Sequence, residues 1–119
     1  MSTKRVGIHP GKSPLYHKAV VHGDVVHLAG QVAVDPLPTA AEQTRQILAQ
    51  IDRYLGECGS DKTKLLTATV MFADLRHYDE VNAVWDAWIS PDAIPTRTAF
   101  EAKLVTPAHL VAIQVTAAV

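Results

Sequence analysis

One arginine has the sequence surroundings expected of an anion-binding residue. Arg97 follows Pro95 and Thr96 at the start of a predicted strand, and its neighbours on that strand are small or apolar. A guanidinium in such surroundings projects into a cleft with few carboxylates beside it, and it is then free to bind an anion. An alternative stays open, in which Arg97 is a surface residue paired with Glu101 or with Asp92.

Other familiar catalytic motifs do not match the sequence. Ser13, Ser60 and Ser90 do not lie in the context of a nucleophile elbow, which disfavours serine-based nucleophilic catalysis. The six glycines match neither a P-loop nor a dinucleotide fingerprint. We therefore expect no nucleotide cofactor.

Histidine and cysteine positions give only weak indications of chemistry. If Gly23-Asp24 is a two-residue turn, His22 and His27 lie diagonally on one face of a hairpin, where they could share a metal. Exposed hairpin histidines are common and no third ligand is apparent, so we expect no metal site. The single cysteine, Cys58, ends a predicted helix, and the negative end of the helix dipole would not lower its thiol pKa.

Length and composition predict one globular domain spanning residues 1–119, since 48% of the residues are hydrophobic and 19% are charged. Lys and Arg total 11 against 12 Asp and Glu, so no net field attracts nucleic acid or an anionic membrane. The chain has one cysteine, no secretory signal and no apolar run of about 20 residues. These features predict a cytoplasmic protein with no membrane partner.

Hydrophobic periodicity predicts the elements that must position these residues. Alternation and turn signals predict strands over 17–22, 25–30, 65–73, 97–105 and 110–119, with a further short strand near 5–8. Helical spacing predicts helices over 40–57 and about 78–89, and residues 32–39 read as a loop. The resulting order, β-β-α-β-α-β-β, is typical of an α+β fold with both helices on one face of a mixed sheet.

The distribution of apolar residues predicts what each face of the elements contacts. On the strand over 65–73, the alternating buried residues are expected to be Leu66, Ala68, Val70 and Phe72. Trp85 and Trp88 belong to one apolar stripe of the second helix, for which core packing is the expected role, and contact with a ligand stays open. The closing strand is apolar on both faces, with Leu110, Ala112 and Ala118 on the second. We therefore expect the second face of the sheet to pack against other subunits.

Four segments, taken in order, resemble one known family. They are LAGQV at 28–32, QTRQIL at 43–48, VNA at 81–83 and PTR at 95–97. Together they resemble the reactive intermediate deaminase family, also called Rid or YjgF-like and related to the L-PSP endoribonucleases. The resemblance runs from about residue 16 to residue 119.

The resemblance implies a chorismate-mutase-like fold that assembles as a homotrimeric barrel, with ligand sites in the clefts between subunits. In this family an arginine matching Arg97 holds the carboxylate of a 2-imino or enamine acid, which is hydrolysed to a 2-oxo acid and ammonia without a cofactor. A guanidinium can form a bidentate pair with that carboxylate and fix the adjacent carbon for attack by water. The resemblance places Tyr16, Gly30 and Asn82 in the rest of the cleft.

Three positions depart from the family pattern. Gln114 stands where active members carry a glutamate that positions or activates the attacking water. An amide can hold a water but cannot accept its proton, so a general-base contribution of about 10²–10⁴-fold would be missing. Ala29 and Ala99 replace small polar or thiol residues, which makes the expected cleft more apolar.

Two functions therefore remain open. The first is a deaminase of reduced or altered activity, with Arg97 binding the carboxylate and Gln114 holding the water. The second is a trimer that binds a small carboxylate in the same cleft without turning it over. A ribonuclease activity, which the resemblance also implies for some relatives, is disfavoured by the neutral charge balance.

Overall fold

The computed structural model describes residues 1–8 and 15–119, so the predicted context of Ser13 lies outside the described residues. In chain order, the helices and strands are β1 (Thr3–Ile8), β2 (His17–His22), β3 (Val25–Leu28), α1 (Ala40–Glu57), β4 (Leu65–Phe72), α2 (Tyr78–Trp88), β5 (Thr96–Glu101) and β6 (Val111–Ala118). Short 3₁₀ turns at Lys62–Lys64 and Leu75–His77 precede β4 and α2.

The described strands form one mixed sheet in the order β1-β2-β3-β6-β4-β5. Neighbouring strands pair antiparallel except for β4 and β5, which are parallel. Two parallel neighbours cannot be joined by a tight turn, and α2 supplies the crossover that connects them. The predicted α+β fold, with both helices on one face of a mixed sheet, is confirmed.

Helix α1 has the predicted bounds because both of its ends carry local signals. The Thr39 hydroxyl accepts a hydrogen bond from the backbone N–H of Glu42 at 3.1 Å and donates one to the Glu42 carboxylate at 2.8 Å. Gly59, with φ of 76°, follows the C-terminal end of the helix. Within the described ranges, neither this helix nor α2 is long and apolar enough to cross a membrane.

The core lies between the helices and one face of the sheet. Helix α1 buries Ile47, Leu48, Ile51 and Leu55. The sheet residues beneath the helices are buried and apolar: Ala19, Val26, Leu28, Ala68, Val70, Phe72, Val111, Ile113, Val115 and Ala117. Removal of this apolar surface from water is the main force that holds the helices on the sheet.

The face of the sheet turned away from the helices, called here the open face, is more polar than predicted. Ala112 and Ala118 lie on it as expected, but Gln114 and Thr116 alternate with them. Leu110 precedes β6 and packs against the core instead. Threonines of neighbouring strands continue the polar surface: Thr67, Thr69, Thr96 and Thr98. Met71 of β4 and its partner Phe100 of β5 keep part of this face apolar. The open face is therefore mixed, because neighbouring strands place threonines beside the alanines of β6.

Pairing partners explain most of the remaining boundary errors. Among the described strands, the edge strand β5 pairs only with β4, and it ends at Glu101, opposite the last residue of β4, rather than at 105. Strand β3 ends at Leu28 rather than at Gly30. A bulge between Leu65 and Thr67 buries Leu65 and leaves Leu66 43% exposed, so the predicted burial of Leu66 is wrong. The predicted end of α2 at 89 is one residue too long, and β1 begins two residues earlier than predicted.

A buried glutamine connects α1 to two loops. The Gln43 amide nitrogen donates to the carbonyls of Leu37 and Ala108, at 2.7 Å and 2.9 Å, and its oxygen accepts from the Leu110 N–H at 2.9 Å. The side chain is fully buried. Three otherwise unpaired backbone groups therefore depend on this one residue.

Replacing Gln43 by alanine is expected to lower the free energy of unfolding by about 2–4 kcal/mol, because a cavity forms and three buried backbone groups lose their partner. Urea denaturation at a fixed protein concentration measures this change. Gln46→Ala is the matched control, since it removes one bond to the exposed Asp35 N–H and should cost less than about 1 kcal/mol. Equal losses for the two variants would contradict the role assigned to Gln43.

Candidate functional site

Arg97 lies on the helix-covered face of β5, where three residues of α2 hold its guanidinium. One terminal nitrogen donates a hydrogen bond to the Asn82 side-chain oxygen at 2.5 Å. The guanidinium carbon lies 5.4 Å from the ring centroid of Trp85 and 5.9 Å from that of Tyr78. Aromatic faces attract a cation without neutralising its charge. The guanidinium is thus oriented by neutral groups.

No carboxylate neutralises Arg97 in the part of the chain that the structure describes. Ion pairs occur there between Arg53 and Glu57 and between Arg76 and Asp74. The alternative prediction, in which Arg97 pairs with Glu101 or Asp92, is therefore not what the structure shows. With one donor engaged by an amide and the charge unpaired, the remaining N–H groups can bind an anion.

Ala99, the second site residue predicted on β5, faces the same side as Arg97. It is exposed, and its β4 partner Val70 is buried beneath the helices. The methyl side chain leaves open space on the sheet beside the guanidinium. Ala99 is thus near Arg97 and contributes room rather than a polar group.

Gln114 lies on the open face of β6, opposite Thr69 of β4. Its amide nitrogen donates to the carbonyls of Leu28 and Val115, at 3.0 Å and 3.1 Å. Both amide hydrogens are therefore engaged, and the side-chain oxygen is left to accept a bond. Through Leu28, the side chain reaches the end of β3, beside Ala29 and Gly30.

The segment around Gly30 exposes backbone polar groups. Gln31 fixes the segment, because its side chain donates to the Ala29 carbonyl at 3.0 Å and its backbone exchanges two hydrogen bonds with Ile113. Gly30 is exposed, and its N–H and carbonyl bond no other residue of the described ranges. A Cβ built on Gly30 would meet no atom within 4 Å. Tyr16 lies just before β2 with 44% of its surface exposed.

The predicted site residues fall into two groups that one chain does not bring together. Arg97, Asn82 and Ala99 form the first group, called the arginine group, at the β5 edge. The second group, called the glycine group, consists of Tyr16, Ala29, Gly30 and Gln114. Arg97 pairs with Ala68 and Ala68 with Val115, so β6 lies about 10 Å from Arg97, and Gln114 points from the opposite face. Tyr16 lies four strand spacings from β5, about 19 Å.

The histidines predicted to share one face of the hairpin do so. His22 pairs with Val25 and His27 with Val20 on either side of the Gly23-Asp24 turn, and Gly23 has a φ of 62°. The Nδ1 atom of His22 lies 2.7 Å from the Thr3 hydroxyl. Among residues 1–8 and 15–119, no group of three or more His, Cys, Asp or Glu is arranged to hold a metal ion.

Comparison with known proteins identifies the family. A family profile described as endoribonuclease L-PSP matches residues 9–119. The chain belongs to this family. It is 38% identical over 104 residues to a RutC family protein of Haemophilus ducreyi, a match that covers 87% of this chain and 89% of that protein. A crystal structure of a YjgF family member from Neisseria meningitidis has a TM-score of 0.91 and 42% identity, covering 99% of this chain and 95% of that chain.

More distant relatives carry a functional name. A bovine protein named 2-iminobutanoate/2-iminopropanoate deaminase is 29% identical over 92 residues, which is 72% of this chain and 66% of that protein. The resemblance to the Rid or YjgF-like family is confirmed by these matches, and the six-stranded α+β fold with two helices matches the solved YjgF structure.

The family motifs did not single out every residue around Arg97. Tyr78 was not predicted, although it lies four positions before Asn82 on α2, and such a spacing places two residues on the same helix face. Trp85, three positions after Asn82, was assigned to the core. It is buried as expected, and it also contacts the guanidinium. Reading the face of α2 around Asn82 would have found both aromatic residues.

Cys58 has the environment of an unreactive thiol, as predicted. Burial raises its pKa, a nearby Lys4 lowers it by less, and Glu57 raises it further. At a given pH the folded chain therefore holds less thiolate than the unfolded chain.

We expect the rate of alkylation of Cys58 by iodoacetamide to rise at a higher pH in the folded protein than in the protein unfolded by guanidinium chloride, as followed by mass spectrometry. Coincident pH profiles would contradict this prediction.

Proposed function

We propose that the protein is an imine or enamine deaminase that hydrolyses small 2-imino acids to 2-oxo acids and ammonia. The observation that carries the proposal is the Arg97 guanidinium, which is oriented by Asn82 and two aromatic rings and has no carboxylate partner in the described chain. The deaminase name of the bovine relative supports the same reaction.

A fixed arginine selects the substrate class through its geometry. The planar guanidinium presents N–H donors that match the two oxygens of a carboxylate, so a 2-imino acid binds with its C=N carbon one bond beyond the clamp. Holding the substrate in this way orients that carbon for attack by water. The exposed Ala99 leaves room for the substrate beside the arginine.

We propose further that the site is completed between subunits of a homotrimer. The arginine group and the glycine group lie too far apart to contact one small ligand in one chain. A neighbouring subunit would bring its Gly30 backbone groups and its Gln114 oxygen to the arginine of the first, with Tyr16 at the edge. The unpaired backbone of Gly30 and the open space around it support this arrangement.

The reaction adds water across the C=N bond and then eliminates ammonia. The water oxygen forms a bond to the imine carbon while the C=N electron pair moves to nitrogen, which takes a proton. The carbinolamine then loses ammonia as the carbonyl forms. The Gln114 oxygen can accept a hydrogen bond from the attacking water and so hold it near the imine carbon.

Arg97→Ala is expected to lower kcat/KM for 2-iminopropanoate by about 10²-fold, because it removes the charge-assisted bonds to the carboxylate. The imine is generated in situ from alanine by an amino-acid oxidase with catalase present, and its loss is followed with and without the protein. Arg97→Lys keeps the charge without the bidentate geometry and should recover only part of the rate. Arg45→Ala, on the exposed side of α1, is the control and should behave as the unaltered protein.

A second function, binding of a small carboxylate without turnover, is favoured by the amide at Gln114. In that case the unaltered protein would not accelerate imine loss, whereas Gln114→Glu would, and calorimetry would detect Arg97-dependent binding of a stable 2-oxo acid. Acceleration by the unaltered protein that disappears in Arg97→Ala supports the deaminase. If neither the unaltered protein nor Gln114→Glu accelerates the loss of the imine, 2-imino acids are excluded as substrates.

The shared site has a sharper test in mixed subunits. Arg97→Ala damages the arginine group and Gly30→Val fills the space of the glycine group, so each variant alone should be inactive. If the two groups meet across subunits, unfolding and reassembling equal amounts of the variants together should restore about a quarter of the sites by random mixing, well above the residual activity of either variant alone. A mixture as inactive as its components would contradict a site shared between subunits.

A further inference from the structure

A carboxylate lies on the same strand face as Arg97. Side chains repeat every two residues along a strand, so Arg97, Ala99 and Glu101 of β5 share the face turned toward the helices. The β4 partner of Glu101 is Phe72, which is fully buried on that face. Four residues at a rise of about 3.3 Å place the Cα atoms of Arg97 and Glu101 about 13 Å apart.

The space between these two charged residues is open. Ala99 lies midway and is exposed, so only a methyl group rises from the strand between them. Tyr78, the first residue of α2, borders the space. The residue is 43% exposed, and its ring centroid lies 5.9 Å from the guanidinium carbon of Arg97. We call this space the β5 trough, with Arg97 at one end, Glu101 at the other and Tyr78 along the side.

Glu101 is held with one oxygen free. Its Oε1 atom accepts a hydrogen bond from the Leu75 N–H at 3.0 Å, in the 3₁₀ turn that precedes α2. Within residues 1–8 and 15–119, Glu101 takes part in no ion pair. The carboxylate is therefore oriented by the backbone, and Oε2 is left to act on a molecule in the trough.

We propose that Glu101 is the general base of the imine hydrolysis, a catalytic residue that Gln114 cannot replace. The inference rests on the proposed deaminase function and goes beyond it, because it assigns the proton transfer to a residue on the arginine's own strand. Gln114 lies on the opposite face of the sheet with both amide hydrogens engaged, and an amide does not take up a proton.

The Glu101 carboxylate can accept and return every proton that the hydrolysis transfers. With the substrate carboxylate on Arg97, its imine carbon points along the trough toward Glu101. Glu101 accepts a proton from water as the C–O bond forms and the C=N pair moves to nitrogen, and it returns that proton to the nitrogen. It then accepts the hydroxyl proton as the C–N bond breaks and the carbonyl forms, and ammonia leaves with the proton that Glu101 gives up.

The decisive variant is Glu101→Gln, which keeps an oxygen to accept from the Leu75 N–H and removes the base. We expect kcat for 2-iminopropanoate to fall by about 10²–10⁴-fold with KM within a few-fold of the unaltered value. The fall in rate on the acidic side of the pH profile should also disappear. Glu101→Asp retains a carboxylate and should keep part of the rate, which separates loss of the base from loss of the fold.

Two further variants complete the comparison. Glu57→Gln makes the same chemical change at the exposed end of α1 and should leave kcat unchanged. Gln114→Ala should lower the rate less than Glu101→Gln does and should keep the acidic limb of the pH profile. Thermal unfolding of each variant by circular dichroism confirms that the compared proteins are folded.

The outcomes separate this inference from the proposed function. An active protein that loses its rate in both Arg97→Ala and Glu101→Gln supports both. If Arg97→Ala is inactive while Glu101→Gln keeps the rate and the acidic limb, the base is not Glu101 and the deaminase proposal stands. If the unaltered protein does not accelerate imine loss at all, both proposals are overturned.

Discussion

The parallel pairing of β4 with β5 is the constraint on which the candidate site depends. Two parallel neighbours need a crossover. The chain must therefore leave the end of β4, run back over the sheet as α2, and enter β5 at the edge of the sheet where β4 begins. This path lays one face of α2 directly over β5. Asn82, Trp85 and Tyr78 come to surround Arg97 for this reason, although each precedes it by at least 12 positions in the sequence.

Local sequence signals were sufficient wherever an element is specified by its own residues. The Thr39 cap and Gly59 fixed α1, and the Gly23-Asp24 turn fixed the first hairpin. Errors arose where a neighbouring strand decides the outcome. The β-strand propensity of the residues after Glu101 would allow β5 to continue, but the strand ends where its pairing with β4 ends. The bulge between Leu65 and Thr67 reverses the burial expected for Leu66.

The candidate site could be predicted in part for the same reason. Family motifs identified Arg97 and Asn82, and the structure joins them by a hydrogen bond. Neither a motif nor a single strand could tell that Gln114 faces away from Arg97, because that depends on the register of β6 against β4. From the sequence, Glu101 is expected only as an ion-pair partner of Arg97. The two-residue period of β5 already placed both on one face, but the absence of an ion pair between them became visible only in the structure.

The threonine hydroxyl groups on the open face can form hydrogen bonds with either water or another polar group. A hydroxyl both donates and accepts, and it rotates freely, so Thr67 and Thr116 satisfy each other at 2.6 Å. Water can take the place of such a partner when the surface is bare. In the homotrimer proposed above, contact with another subunit would replace that water without leaving the hydroxyl groups unpaired. The same threonines would then suit both a hydrated face and a face in contact with a neighbouring subunit.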